Sequence, residues 1–157
     1  MKIDCTTPVL KPQSGDTGKA IKLSSMSVRW SLVAESLLAL LAFDLLCLGR
    51  DFRRLHNYVK RWPISVPKRG ALGSSDSDVR EVCEALNYAA VCYPKRLRCL
   101  QRAAVLTCLL RHRGVAAKFV IGVQSLPFRA HAWTEVEGVA VNERRDVRRL
   151  YQTFESC

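Results

Sequence analysis

Two residues in the last sixty positions have the chemistry of a thiol hydrolase, Cys99 and His131. Cys99 opens a helical pattern, Cys99 to Arg113, directly after Pro94 and the basic run Lys95-Arg96-Leu97-Arg98. In the first turn of a helix the backbone N–H groups lack intrahelical partners and the dipole is positive, and both favour a thiolate over a thiol. Arg98 and Arg102 add positive potential. Cys99 shares a helical face with Ala103, Leu106 and Leu110, so core packing would hold the thiol in place. The competing reading is a buried structural cysteine, as unpaired cysteines often are.

His131 lies in a strand pattern, AHAWTEVE, where alternation puts Trp133 and Glu135 on its face and Ala132, Thr134 and Val136 on the other. A strand histidine in a chain with a helix-start cysteine is a candidate general base for that cysteine. The third member of such a site depends on the hairpin that follows. If Val136-Glu137-Gly138 forms a three-residue loop, Glu135 faces Val139 and His131 faces Glu143, whose carboxylate would orient the imidazole. If the loop has two residues, Glu137-Gly138, Asn142 joins His131's side and offers an amide. Glu143 is preferred over Asn142, and Asp146 ranks third. The expected oxyanion donors are the backbone N–H of Cys99 and one further group, either Gln101 or a residue before the helix. Trp133 either walls a substrate groove or belongs to the core.

The surrounding elements must position these groups. Residues 1–28 carry few large apolar side chains and are broken by Pro8, Pro12, Gly15 and Gly18, the pattern of a flexible tail. Residues 29–70 form a helical region in which WSLVAESLLALLAFDLLCLGRDFRRLHNYVKRW ends in a basic amphipathic stretch. Its apolar part, about Leu32 to Leu48, is interrupted by Glu35 and Asp44. A span needs about 20 clean apolar residues, so no stable membrane span is expected, and a helix buried or docked on a partner is the better reading. Pro63 and Pro67 close this region, and KRGALGSSDSD marks a loop. Residues 76–157 are the expected catalytic core. They begin with a helix capped by Asp78 with Glu81 three residues on, whose stripe Val79, Val82, Cys83, Leu86 and Ala90 faces the core. The Cys99 helix follows and ends at Gly114. Three strands come last, at 115–123, AHAWTEVE and VAVNE, in an antiparallel α+β arrangement.

Composition bounds the function. The formal charge of +11 attracts anionic partners in general. No helix-turn-helix, zinc-finger or aromatic-interleaved arginine pattern accompanies it, so no nucleic-acid role is expected. Seven cysteines, an odd number, follow a polar start without a signal-peptide pattern, which places the chain in a reducing cytoplasm. The cysteines lack a CxxC pair, so neither a metal site nor a cofactor is expected.

CLQRAAVLTCLLRHRGVAAKFVIGV followed by FRAHAWTEVEGVAVNE closely resembles the transglutaminase-like cysteine peptidases that remove leaders in lasso peptide biosynthesis. The resemblance is specific over residues 99–143, looser over 30–61 and 78–90, and does not reach the first 28. It implies a papain- or transglutaminase-like core with a Cys–His–Asp triad. The nucleophile falls on Cys99, the histidine on His131 and the acid on Glu143, where this sequence has Glu for the family's usual Asp. It also implies a ribosomally made precursor peptide as substrate, a separate cyclase that uses ATP, and a leader-recognition module. Residues 1–75 lack a strand-rich pattern of that kind, so the expected form is the stand-alone protease with a separate leader-binding protein. Two other readings use the same residues. A transglutaminase-type acyltransferase would pass the acyl group to an amine, and a non-catalytic binding subunit would keep Cys99 and His131 in its core.

Overall fold

A computed structural model describes residues 29–47, 52–64, 76–143 and 147–156. The tail expected at 1–28, most of the KRGALGSSDSD loop and Asp146 lie outside these residues.

Helix α1 (Trp30–Cys47) is apolar on almost every side, so its sequence does not select one buried face. Packing does: Val33, Ser36, Leu40 and Phe43 recur at helical spacing and are buried against α3 (Asp76–Cys92) and α4 (Cys99–His112). Ser36 is accommodated there because its hydroxyl donates to the Leu32 carbonyl at 2.8 Å. The opposite face, with Trp30, Leu38, Leu41 and Leu45, is exposed. The single long helical run read from the sequence is two helices, α1 and the short basic α2 (Phe52–Arg61). Helix α3 starts at Asp76, two residues before the expected cap, so Asp78 sits within the first turn, where a carboxylate favours the dipole.

Helix α4 is the centre of the core. Ala103 to Leu110 are all buried, and Leu106 and Leu110 pack with Leu40, Leu86 and Phe119. Its C-terminus is closed by Gly114 at φ 82°, with Gly114 N–H donating to Arg111 O and Val115 N–H to Leu110 O, each at 3.0 Å. These two bonds define a Schellman cap, and the positive φ is why glycine stands there. The buried Arg111 ties three elements, donating to Val59 O of α2 at 2.7 Å and to Ala117 O at 2.8 Å.

The strands form one antiparallel sheet in the order β3-β2-β1-β4, with β1 Ala117–Gln124, β2 Arg129–Val136, β3 Val139–Val141 and β4 Gln152–Ser156. Strand β4 and the single turn α5 (Val147–Leu150) have no counterpart in the sequence reading. The fold is thus α+β, as expected. The helices cover one face, and a smaller cluster of Val120, Trp133 and Val147 covers the other. Among the described residues no helix is long and apolar enough to cross a membrane.

Candidate active site

Cys99 is the first residue of α4 and is half-buried. Arg98 precedes it as the helix cap in extended conformation (φ −81°, ψ 148°). The helix runs in the same direction as β2. Near its start, Thr134 Oγ donates to Ala103 O at 3.0 Å and meets Thr107 Oγ at 3.1 Å. Near its end, Arg111 holds Ala117, the residue that pairs with Val136. The N-terminus of α4, with Cys99, therefore lies at the end of the sheet where β2 begins, with His131.

The pleat turns Ala132 and Thr134 toward α4 and His131, Trp133 and Glu135 to the other face. The His131 ring lies between two aromatics, with centroids 6.2 Å from Trp133 and 5.4 Å from Tyr151. Trp133 is 1% exposed and belongs to the core cluster with Val120 and Val147, and it also lines the small cleft beside α4. Its indole N–H donates to Glu135 at 2.8 Å. Arg148 bonds the same Glu135 oxygen at 3.0 Å and the Gly138 carbonyl at 2.8 Å, fastening α5 to the hairpin. Gly122 stands directly across the ladder from His131. A Cβ there would lie 2.7 Å from the Trp133 ring and 2.9 Å from Tyr151 Cβ, so only glycine leaves room for this aromatic layer.

His131 Nε2 lies 3.2 Å from Glu143 Oε1. The route to this contact corrects the expected hairpin. Val136 pairs with Val139 and Glu135 with Ala140, so the loop is the two-residue Glu137-Gly138. Both residues have positive φ, 52° and 79°, the backbone that the favoured two-residue hairpin turns demand. Register alone would then carry Asn142 to His131's face. Instead β3 ends at Val141, and Asn142 adopts φ 59°, breaking the alternation so that Glu143 swings to the ring.

Glu143 also lines a small cleft with Trp133, Thr134, Val141, Asn142 and the α4 residues Arg102, Ala103 and Leu106. Arg102 is engaged by Asn87, and the amide nitrogen of Asn142 is buried with no hydrogen-bond partner among the described residues. Gln101, a candidate oxyanion donor, has its amide nitrogen bound to Asp44. The structure therefore pairs His131 with Glu143, while Cys99 opens α4, the helix packed on the opposite face of β2 from the His131 side chain. Sequence reasoning missed Gly122, Tyr151 and Asp44. A glycine inside a strand was a readable sign of close approach, while Tyr151 and Asp44 carried no sign of their place.

The transglutaminase-like superfamily model matches residues 37–156 of this α+β chain. The chain belongs to that superfamily. It is also 38% identical over 50 residues to the microcin J25-processing protein McjB of Escherichia coli, a match covering 32% of this chain and 24% of that protein. The matched region thus spans about a quarter of that relative's length. No solved structure gives a significant match. The superfamily match takes in α1 from residue 37 onward as well as the whole region from Cys99 to β4.

Proposed function

We propose that this chain is a cysteine peptidase that removes the leader from a ribosomally made lasso peptide precursor. It would act with a separate leader-binding protein and alongside a cyclase. The observation that carries the reading is the 3.2 Å pairing of His131 Nε2 with Glu143. Supporting it are the superfamily match and the similarity to a microcin-processing protein.

In this reading the Cys99 thiolate attacks the scissile carbonyl. His131, oriented by Glu143 through Nε2, uses Nδ1 to protonate the leaving amine. Glu143 stabilises the imidazolium in the intervening state. Water then attacks the thioester with His131 as base, releasing the carboxylate product and the Cys99 thiol. The backbone N–H of Cys99 faces the developing oxyanion. With the Gln101 nitrogen bound to Asp44, the second donor in this scheme comes from the segment before the helix.

The test is mass spectrometry of a lasso precursor incubated with the protein and its leader-binding partner, beside Cys99→Ala. Leader cleavage lost in Cys99→Ala is the expected result. An intact precursor, with the partner shown to bind its leader, counts against the peptidase. A product heavier by an added amine identifies acyl transfer instead.

A further inference from the structure

Asp44 interrupts the apolar run of α1, and its carboxylate is the hub of a small polar cluster. Oδ1 accepts from Gln101 Nε2 at 3.0 Å. Oδ2 accepts from Lys95 Nζ at 2.7 Å, and the Tyr93 side chain bonds to the same group. Lys95 and Tyr93 lie in the segment that leads into α4, and Gln101 is in its first turn. Gln101 is buried, and its other end, Oε1, accepts the backbone N–H of Arg98 at 3.4 Å.

The cluster matters because of what the helix start lacks. Caps are ordinarily Ser, Thr, Asp or Asn, whose side-chain oxygen accepts a first-turn N–H. Arg98 has no acceptor and makes no side-chain cap bond. Helix ends without such a restraint fray, and here the fraying end would carry Cys99. The tie from α1 through Gln101 to the Arg98 backbone is the restraint that replaces the cap.

We propose that Asp44 is a positioning residue for Cys99, acting through Gln101 on the first turn of α4. The role rests on Cys99 being the nucleophile. Reacting groups misplaced by about 1 Å lose on the order of a hundredfold in rate, so a loose helix start would be felt in the chemistry. The two carboxylate oxygens divide the work. The Lys95 pair is 61% exposed on the lysine side, and exposed pairs contribute little. The Gln101 bond, made to a buried amide, does the positioning.

Substitutions separate the two. Asp44→Asn keeps an oxygen for Gln101 and loses the ion pair, and Lys95→Ala loses only the ion pair. Asp44→Ala and Gln101→Ala both cut the tie. The measurement is the pH profile of Cys99 alkylation by iodoacetamide, followed by mass spectrometry with the exposed Cys92 as internal reference, alongside thermal unfolding. In Asp44→Ala and Gln101→Ala the midpoint is expected to rise by about one pH unit from the wild-type value, as the helix-terminus field that favours thiolate is lost. Asp44→Asn and Lys95→Ala keep the wild-type profile. A wild-type profile in both Asp44→Ala and Gln101→Ala, even with lowered melting temperature, overturns the proposal and leaves the peptidase reading standing. A shift in Asp44→Asn as large as in Asp44→Ala assigns the effect to Lys95 and overturns the route through Gln101. A wild-type Cys99 with the same profile as Cys92 removes the nucleophile itself and this role with it. Should Asp44→Ala fail to fold, Gln101→Ala and Asp44→Asn decide the question.

Discussion

Glu143 reaches the His131 ring, Oε1 to Nε2 at 3.2 Å, because Asn142 leaves the strand at φ 59° and not because the hairpin register puts the two side by side. The residue that the register does favour, Asn142, is among those lining the adjoining cleft, and its amide nitrogen is buried. If Glu143 orients the ring, Glu143→Gln and Glu143→Ala lower kcat/KM for leader cleavage by roughly 10²- to 10⁴-fold, the range seen when a triad acid is lost. Glu143→Asp retains more activity than Glu143→Gln because it keeps the charge. Full activity in Glu143→Ala together with an inactive Asn142→Ala would hand the role to Asn142.

Asn142 is one of the few residue types that tolerate the left-handed region. Asn142→Gly should therefore keep both stability and activity. Asn142→Val, a β-branched residue forced to positive φ, should lose about 1–3 kcal/mol. Urea unfolding checks the stability. Leader cleavage shows whether a displaced Glu143 costs rate as well.

Gly122→Ala places a methyl group where the Trp133 ring and Tyr151 already stand, at 2.7 and 2.9 Å. Overpacking of this kind costs about 1–3 kcal/mol. Because Gly122 pairs across the ladder with His131, the displaced aromatics also move the surroundings of the ring. A drop in the denaturation midpoint with a changed tryptophan emission is the expected result. An unchanged midpoint and spectrum would show that the layer has slack.

Acid stability should carry the mark of Asp44. The hydrogen bond from Lys95 leads the causes that hold its carboxyl below the ordinary value of 3.8, with burial opposing and Gln101 and Tyr93 assisting. A lowered folded-state pKa means that the unfolded chain takes up the proton first. The contribution is therefore complete above about pH 4 and is lost as pH falls through the folded value. Melting temperatures between pH 7 and pH 3 should fall less steeply in Asp44→Asn than in the wild type. Parallel curves for the two proteins would contradict this.

Cys83 should be the inert thiol. Burial in the α3 stripe pushes it from 9.0 up to about 11, only partly offset by Arg102. At pH 8 it is protonated in the folded protein, so alkylation of the native chain should leave it unlabelled while the exposed Cys92 reacts. Because the unfolded chain ionises this thiol first, its share of stability is present below pH 9.0 and is lost as pH rises toward 11. Rapid native labelling of Cys83 at pH 8 would show that α3 opens locally.

The local elements of this protein were written in its sequence. The α4 pattern from Cys99 to Gly114, the strands around VAAKFVIGV and AHAWTEVE, and the α+β class follow from periodicity and punctuation, which depend on neighbours a few residues apart. So did the candidates Cys99 and His131, since residue type and a helix start are local facts, whereas Glu143 was reached through a three-residue loop that the structure does not have. The tertiary structure decided what depends on distant partners. Helix α1 is apolar all round, and only packing against α3 and α4 chose its buried stripe. Glu137 in the left-handed region set a two-residue loop, and Asn142 at positive φ then sent Glu143 to the ring, two backbone choices that a pattern of alternating side chains does not encode. Asp44 read only as an interruption of an apolar helix until the fold brought Gln101 and Lys95 to it across more than fifty residues of chain. A hydrogen bond between residues that far apart leaves no spacing in the sequence, because its geometry exists only once the elements have packed.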